Sequence, residues 1–228
     1  MPFWRRREAA TRTLEQYARL YRPDLVEVVI VDDGSPDSTA DGLESVYAGT
    51  RVVKLPPKTG PLNPCVPINV GMAYASGVAL GISNPEVLHE QDTLGGLLRL
   101  LTDPLDYAVA PAWCPEWEVW HAHPTDAVEH PDIDIAAGHF LALFQRDLWE
   151  RVGGFDPMFR YGFGWDDTDW LRSVIDVGGR VKWGDTPVLH FKSGGAKIDW
   201  GVIPSNSTIY REKWKAREAG MKLRFSLA

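Results

Sequence analysis

The first half of the chain alternates between helical and strand-like patterns of apolar residues. Residues Arg7 to Tyr21 place apolar side chains at helical spacing, and Pro23 ends the predicted helix. The β-branched run Val26 to Val31 predicts a strand that is buried on both faces. The segment Asp32 to Pro36 is rich in turn residues, and a further helix is predicted to begin near Ser38.

The same alternation continues to residue 110. The pattern predicts strands at Arg51 to Lys54, Val78 to Ser83 and Tyr107 to Ala110, with helices that end near Ala75 and span about Asp92 to Leu101. Strands that alternate with helices are typical of βαβ units. We therefore expect an α/β fold with a mostly parallel sheet covered by helices on both faces.

The second half of the chain is less regular. Residues 111–135 are rich in Trp, Pro and His and show no clear period, so we interpret them as a long functional loop. No internal repeat, low-complexity tract or linker divides the sequence. We therefore predict a single domain over residues 1–228.

The composition is that of an ordinary globular protein, with 44% hydrophobic and 24% charged residues. The net charge of -7 argues against a general nucleic-acid binder. Cys65 and Cys114 form neither a metal-ligand spacing nor a disulfide framework, which favours a reducing compartment. No apolar run is long enough for a membrane span and no signal peptide precedes the first helix. We expect a cytoplasmic protein, and the basic stretch Arg5 to Arg7 leaves a peripheral membrane contact open.

Two acidic clusters directly follow predicted buried strands. In open α/β sheets, ligands bind beyond the carboxyl ends of the strands. Asp32 and Asp33 could accept hydrogen bonds from a base or a ribose, and a turn that caps a helix is an equally good interpretation. Asn84 and Glu86 follow the next such strand, where one carboxylate with an amide nearby could hold a divalent cation that also binds two phosphates. An Asn-Pro turn with an exposed glutamate is the alternative.

A third acidic cluster, Trp165 to Trp170, enters a predicted helix. Its three carboxylates lie in the first turn, where the helix dipole stabilises them, so we expect them to stay ionised. Asp166 and Asp169 share one helix face, and Asp167 points elsewhere. An ionised carboxylate beside an aromatic ring is suited to take a proton from a sugar hydroxyl. The alternative is a plain acidic helix N-terminus, and the preceding Gly153 to Asp156 segment favours the functional interpretation.

These segments resemble the inverting, GT-A-fold glycosyltransferases of family 2 and the related β-1,4-galactosyltransferases. VEVVIVDDGSPDST is similar to the family's nucleotide-binding strand and loop, and INVGMAYASG is similar to its N-x-G-x-x-x-A-x-G helix. RVGGFDPMFRYGFGWDDTDWLRSVIDVGG is a close match to the segment that carries the family's catalytic acids. The resemblance covers nearly the whole chain. It implies a nucleotide-sugar-binding half at residues 1–110 and an acceptor-binding and catalytic half at residues 111–228.

The resemblance also implies roles for residues on the donor side. Asp33 would contact the uracil, with Asp32 beside it in the same donor loop. The segment Pro2, Phe3 and Arg6 resembles the family's contacts to the nucleotide and the diphosphate. The donor-binding set implied in this way consists of Pro2, Phe3, Arg6, Asp32, Asp33, Asn69 and Asn84.

For the metal and the acceptor, the resemblance implies a further set. Glu86 stands at the last carboxylate of the family's D-x-D metal motif, and His190 stands where many relatives place a metal-binding histidine; the cofactor would be Mn²⁺ or Mg²⁺. Asp167 corresponds to the catalytic base, and Asp166 with Trp165 to the acceptor side.

The sequence departs from the family pattern at two places. Asn84 replaces the first aspartate of the metal motif, so we expect altered metal dependence. The family also has a central strand just before the segment that corresponds to Pro2 and Phe3. We expect that strand to be missing or reduced to a stub, which would leave unpaired backbone groups inside the sheet.

The sequence therefore predicts an inverting transfer of a sugar from a UDP-sugar to an acceptor hydroxyl. A non-catalytic sugar-nucleotide or glycan-binding relative is the alternative. A sugar nucleotidyltransferase is less favoured, because the chain lacks a glycine-rich phosphate loop with Arg and Lys. The acceptor stays open among a saccharide, a lipid-linked glycan, a protein and a modified nucleic acid. Trp117, in the Trp-rich segment Trp113 to Trp120, is expected to bind it, with a Trp cluster that covers the sheet as the alternative.

Overall fold

The computed structural model describes residues 1–58, 63–124, 140–191 and 204–220. The described strands are β1 (Pro2–Phe3), β2 (Val28–Asp32), β3 (Thr50–Lys54), β4 (Ala79–Ser83), β5 (Val87–Leu88), β6 (Asp106–Val109), β7 (Ala112–Cys114), β8 (Val119–Ala122), β9 (Leu141–Gln145), β10 (Arg180–Trp183) and β11 (Val188–His190). The described helices are α1 (Arg7–Leu20), α2 (Cys65–Tyr74), α3 (Thr93–Leu100), α4 (Arg146–Val152), α5 (Asp166–Asp176) and α6 (Ser207–Glu218). Within these four ranges, no helix is both long enough and apolar enough to cross a bilayer.

The strands form three hydrogen-bonded groups. The first has the order β1-β2-β3 with parallel pairing. The second has the order β10-β6-β9-β4, in which β10 and β6 are parallel and β9 runs antiparallel to both of its neighbours. The third has the order β5-β11-β7-β8 and includes His190 on β11. The predicted α/β class is confirmed. The sequence pattern did not reveal β9, nor the strands β5, β7, β8, β10 and β11.

The first strand is only two residues long and pairs in parallel with β2. The Met1 ammonium donates to the carbonyl of Val29 at 3.0 Å, and the Met1 carbonyl accepts from the Val31 N–H at 3.0 Å. Burial lowers the pKa of this ammonium to about 5. This short strand places the residues that follow it beside the carboxyl end of β2.

A stacked aromatic core fixes the position of α5. The ring of Trp170 stacks on Phe155 with centroids 4.8 Å apart and lies 5.1 Å from Trp149. Large aromatic side chains bury much apolar area and restrict the helix to one rotation. The acidic first turn of α5 is consequently held at one fixed place on the protein.

Two sequence expectations differ from the structure. The helix predicted near Ser38 is replaced by a single 3₁₀ turn at Leu43–Ser45, since the left-handed Gly42 interrupts it. The segment interpreted as a loop forms an antiparallel hairpin of β7 and β8, in which Trp113 and Trp120 pair across the strands with rings 5.1 Å apart. Residues 125–135 of that predicted loop lie outside the described residues.

Candidate active site

The loop after β2 is built around two buried aspartates with different surroundings. Asp32 Oδ1 accepts a hydrogen bond of 3.0 Å from the Ser35 N–H, so this carboxylate closes the turn. Asp33 Oδ2 lies 2.5 Å from the Lys58 ammonium. Gly34, directly after Asp33, has φ of +75°, and a Cβ there would stand 2.2 Å from the Pro56 carbonyl oxygen. Only glycine therefore fits the turn that follows the two carboxylates.

The residues of β1 hold this loop in position through backbone pairing. Phe3 is buried in the apolar core with Leu14 and Ile30, and its carbonyl accepts from the Asp33 N–H at 2.8 Å. Its neighbour Pro2 pairs with Val31. The phenyl ring of Phe3 belongs to the core, so its contribution to the site is to position the loop.

A buried carboxylate with two basic neighbours lies at the end of β4. Glu86 is only 7% exposed, and its Oε1 accepts a hydrogen bond from the Arg6 guanidinium. His190 Nε2 lies 3.7 Å from the same oxygen. Burial would raise the pKa of Glu86, but the nearby His190 and Arg6 hold it below its usual value. The structure thus brings together the three residues that the sequence assigned to the metal and the diphosphate.

The donor atoms around Glu86 fit a divalent cation. Glu86 Oε2 is buried and has no hydrogen-bond partner among the described residues, which is costly unless a ligand satisfies it. A carboxylate oxygen and an imidazole nitrogen are both common ligands of divalent cations. Within the part of the chain that the structure describes, no group of three or more His, Cys, Asp or Glu side chains could hold a metal. Of the residues that the structure describes, Glu86 and His190 would be the two ligands, and phosphate oxygens would contribute to the rest of the shell.

His121 is a member of the site that the sequence reasoning missed. Its Nδ1 lies 2.7 Å from Nδ1 of His190, and the two ring centroids are 4.9 Å apart. Burial and the neighbouring His190 lower the pKa of His121, which favours its neutral form. The only signal in the sequence was the richness in histidine of the segment that contains it.

The acidic turn of α5 contains carboxyls in three different environments. Asp166 is 8% exposed and accepts a hydrogen bond of 2.7 Å from Asn63 Nδ2. Burial, with the charge of Asp167, raises the pKa of Asp166 to about 7. All three carboxylates were expected to stay ionised, but at Asp166 burial opposes the helix dipole, and this carboxyl is partly protonated near pH 7.

Asp169 serves the packing of α5 against α6. It is 2% exposed, and it accepts from the Lys213 ammonium at 2.7 Å and from Trp214 Nε1 at 2.9 Å. Asp167 is half-buried, and its Oδ1 accepts from the Thr168 N–H at 2.8 Å. As expected, Asp166 and Asp169 share the buried face of the helix and Asp167 points away from it.

The N-terminus of α2 lies between the donor loop and the acidic turn. Asn63 Oδ1 accepts from the Cys65 N–H at 3.0 Å while its Nδ2 donates to Asp166. Burial raises the pKa of the Cys65 thiol to about 12, with further contributions from the charges of Asp166 and Asp33. Asp33, which the sequence assigned to the donor, and Asp166, which it assigned to the acceptor, are thus both close enough to Cys65 to raise the pKa of its thiol.

Asn69, which was expected in the donor site, is hydrogen-bonded to the backbone of Phe155. Its Nδ2 donates to the Phe155 carbonyl at 2.8 Å, and its Oδ1 accepts from the Phe155 N–H at 2.9 Å. Both ends of the amide are occupied by one backbone, so Asn69 ties α2 to the Gly153 to Asp156 segment. Asn84, by contrast, is half-buried, with its backbone N–H donating to the Phe140 carbonyl at 3.1 Å.

Aromatic rings connect the buried carboxylate with the surface. Trp117 is 57% exposed and lies 5.3 Å, centroid to centroid, from His121. Phe140 lies 4.4 Å from the ring of His190. On the side of α5, Trp165 has a left-handed backbone with φ of 68° and packs 5.0 Å from Tyr210. The exposed ring of Trp117 is therefore connected to Glu86 through His121 and His190, and a sugar could pack on such a ring.

Comparison with known proteins identifies relatives of this fold. The family model described as glycosyl transferase family 2 matches residues 1–165. S. aureus TarS 1-349 in complex with UDP-GlcNAc aligns with a TM-score of 0.75 at 15% identity, over 98% of this chain and 66% of that one. The mannosyltransferase PcManGT from Pyrobaculum calidifontis, in complex with GDP-Man and Mn2+, aligns with a TM-score of 0.60 at 22% identity, over 96% of this chain and 59% of that one. The chain thus spans about three fifths of the solved structures it resembles, and it has their GT-A fold. The comparison with curated proteins finds no match.

Proposed function

The chain belongs to glycosyl transferase family 2, and we propose that it transfers a sugar from a UDP-sugar to an acceptor hydroxyl with inversion at the anomeric carbon. Two nucleotide-sugar-bound relatives of the same fold support a nucleotide-sugar donor, since TarS was solved with UDP-GlcNAc and PcManGT with GDP-Man and Mn2+. A hexosyltransferase resembling the β-1,4-galactosyltransferases is the subtype that the sequence motifs favour.

The environment of Glu86 is the observation that carries this proposal. A buried carboxylate oxygen that has no partner among the described residues is expensive to maintain in a fold that binds nothing there. Arg6 and His190 converge on its other oxygen from distant parts of the sequence. These contacts support a site for a leaving diphosphate and its counter-ion.

Glu86 and His190 would hold the cation, Mn²⁺ or Mg²⁺. When bound there, the cation would neutralise charge on the leaving diphosphate. Arg6 contacts Glu86 and is long enough to turn to a phosphate oxygen when the donor enters. Lys58, paired with Asp33, would set the position of the base-binding carboxylate. Asp32 and Asp33 would then bind the nucleoside.

Asp167 is the proposed base. It lies in the first turn of α5, where the helix dipole favours the charged form of a carboxylate. Asp166 beside it has a pKa near neutrality, so at working pH it could carry a proton and donate a hydrogen bond to an acceptor oxygen. Asp167 would take the acceptor proton while the anomeric bond breaks on the opposite side of the sugar.

One observation favours a second function, a non-catalytic sugar-nucleotide or glycan-binding relative. Arg6 already neutralises Glu86, and Asn84 stands where the family motif has an aspartate, so the site can hold its charges without a metal. Nothing similar favours a nucleotidyltransferase. The acceptor remains open, and the exposed ring of Trp117 supports one with a flat apolar face.

A donor panel tests the proposal. The chain is incubated with UDP-linked glucose, galactose and N-acetylhexosamines, and with GDP-mannose, each with and without Mn²⁺, and release of nucleoside diphosphate is measured. We expect release from one UDP-sugar, stimulated by Mn²⁺, and a product of inverted configuration by NMR. Binding of a donor without release would favour the binding protein instead, and failure to bind any donor would refute both.

The metal ligand is tested with a matched pair of variants. Glu86→Gln removes the buried charge, and Glu90→Gln makes the same change at an exposed position in the same segment. Only the first should weaken binding of UDP in the presence of Mn²⁺. Loss of a charge-assisted contact is typically worth about 1.5–3 kcal/mol, roughly 10- to 150-fold in affinity. Equal affinities in the two variants would mean that Glu86 is not a metal ligand.

A further inference from the structure

The hairpin of β7 and β8 contains a bulge at one defined position. Ala112 pairs with Ala122, whereas the next residue of β7, Trp113, pairs with Trp120. One extra residue of β8, His121, therefore lies between the two pairs. A bulge changes the direction of a side chain and is over-represented beside active sites. In a regular ladder, His121 would have its own partner on β7 and would follow the simple alternation of faces.

At the bulge, the side chain of His121 contacts a residue that lies two strands away. His190 lies on β11, which pairs with β7 on the side opposite β8. In spite of the intervening strand, Nδ1 of His121 reaches within 2.7 Å of Nδ1 of His190. The second nitrogen of His190, Nε2, faces Glu86 Oε1 at 3.7 Å. The two nitrogens of His190 thus have separate neighbours.

Only one neutral tautomer of His190 leaves its Nε2 able to bind a cation. Two neutral imidazoles in contact through nitrogen need one N–H donor and one lone-pair acceptor. If His121 is the donor, the proton of a neutral His190 is on Nε2, and that nitrogen has no lone pair for a cation. If His190 donates from Nδ1, its Nε2 lone pair is free at a position 3.7 Å from Glu86 Oε1. A histidine that binds a metal typically donates its other ring N–H in this way.

We propose that His121 is a positioning residue, placed by the β8 bulge, which accepts the Nδ1–H of His190 and leaves Nε2 of His190 free for a cation beside Glu86. The proposal rests on the proposed function, since the cation belongs to the diphosphate site. It adds a residue to that site which touches neither substrate nor metal and acts through the orientation and the proton position of His190.

Three variants and a control test the role. His121→Leu keeps the approximate size of the side chain and removes the acceptor. His121→Asn places an amide oxygen close to the position of Nδ1 and restores an acceptor. His123→Ala removes another histidine of the same hairpin, whose ring packs on Trp120 at 4.4 Å. His190→Asn identifies the signals of His190 in spectra of the full chain.

The first measurement is Mn²⁺ affinity in the presence of UDP, by electron paramagnetic resonance. We expect His121→Leu to weaken binding by about 10- to 100-fold, as loss of a partner behind a metal-binding histidine typically does. His121→Asn and His123→Ala should stay close to wild type. Equal affinity of the leucine variant and wild type would overturn the proposal.

The second measurement needs no metal. Long-range ¹H–¹⁵N NMR of the metal-free chain should show His190 as the Nδ1–H tautomer in wild type and as a mixture in His121→Leu. An Nε2–H tautomer in wild type, or no change in the leucine variant, would overturn the positioning role. If wild type shows the expected tautomer but binds no Mn²⁺ with UDP, the metal part of the proposed function fails while the contact between the two histidines stands.

Discussion

Asn63 donates a hydrogen bond of 2.7 Å from its Nδ2 to Oδ1 of Asp166, a carboxyl that is almost completely withdrawn from water. The bond favours the charged form, but burial and the charge of Asp167 outweigh it and raise the pKa of Asp166 to about 7. A carboxyl that binds its proton more tightly in the folded state than in the unfolded one costs stability as the pH rises through its folded pKa.

The first prediction concerns this pH dependence. Asp166→Asn removes the titrating group and keeps an amide oxygen for Asn63. The variant should therefore gain stability relative to wild type at pH 8, where the buried carboxyl is charged, and gain less at pH 5, where it is protonated. The difference between the two pH values should be about 5–10 °C in melting temperature, because the folded pKa lies about two units above pH 5, each unit is worth about 1.4 kcal/mol, and each kcal/mol shifts the melting temperature of a chain of this size by about 2–4 °C.

The control for Asp166 is Asp147→Asn, since Asp147 also lies in the first turn of a helix, α4, but is exposed. Its melting temperature relative to wild type should change little between pH 5 and pH 8. Should Asp166→Asn show the same flat profile, the carboxyl would be ionised at both pH values, and the environment described for it would be wrong.

The second prediction concerns the proposed base. Asp167→Asn should lower the rate of transfer by about 10²–10⁴-fold, the usual cost of losing a general base. Binding of the UDP-sugar should change little, because the assigned donor contacts lie on other elements. Asp176→Asn, at the opposite end of α5, makes the same chemical change beside Arg217 and should retain nearly full activity.

Transfer and donor binding are measured separately for both variants, the first by product formation and the second by titration with UDP. A rate above one tenth of wild type for Asp167→Asn would exclude this residue as the base. Loss of donor binding in the same variant would instead assign Asp167 to the donor pocket.

The elements that local pattern predicts well are those with a strong period. The helical spacing from Arg7 onward and the β-branched run before Asp32 gave α1 and β2 within two residues of their observed ends. Each depends on side chains that are neighbours in sequence. The hairpin of β7 and β8 was missed since Trp, Pro and Glu interrupt its alternation, and its pairing depends on contacts across the turn.

The residues of the candidate site also fall into two groups, those that the sequence predicted and those that it did not. Motif resemblance selected Glu86, His190 and the acidic turn of α5, and the fold places Glu86 near His190. The residues it missed are those whose role depends on a distant partner. Asn63 is 103 positions from Asp166, and His121 is 69 positions from His190. No spacing rule connects such pairs, and the bulge that turns His121 toward His190 is a property of strand register.

The third prediction concerns the attachment of α6. Lys213 lies 2.7 Å from Asp169 and 2.8 Å from Asp156, and it balances the charge of a carboxylate that is 2% exposed. Lys213→Met should cost about 3 kcal/mol of unfolding free energy, because it leaves that carboxylate buried without a cation. Lys215→Met, an exposed lysine on the same helix, should cost less than about 0.5 kcal/mol.

Both lysine variants are compared by urea denaturation, with the slope of the transition checked for a change in two-state behaviour. Similar midpoints would mean that Trp214 alone satisfies Asp169. The comparison does not depend on the proposed function, so it tests the packing of the acidic helix independently of any activity.

The last prediction concerns the acceptor. Trp117 is 57% exposed at the tip of the hairpin and packs against His121, so its removal should cost the fold little while it removes a ring face next to the site. We expect Trp117→Ala to raise the acceptor KM by about 3- to 10-fold, which corresponds to the 0.5–1.5 kcal/mol of one aromatic contact, and to leave donor hydrolysis unchanged.

Val119→Ala, at a 42% exposed position of the same hairpin, is the matched control for Trp117 and should leave both quantities at wild-type values. The alternative role, a tryptophan that covers the sheet, predicts a different result, namely a lower melting temperature with an unchanged acceptor KM. Since KM and melting temperature are measured on the same two variants, the two roles give opposite patterns. A loss of donor hydrolysis in Trp117→Ala would fit neither role, because it would mean that the hairpin acts on the donor through His121 and His190.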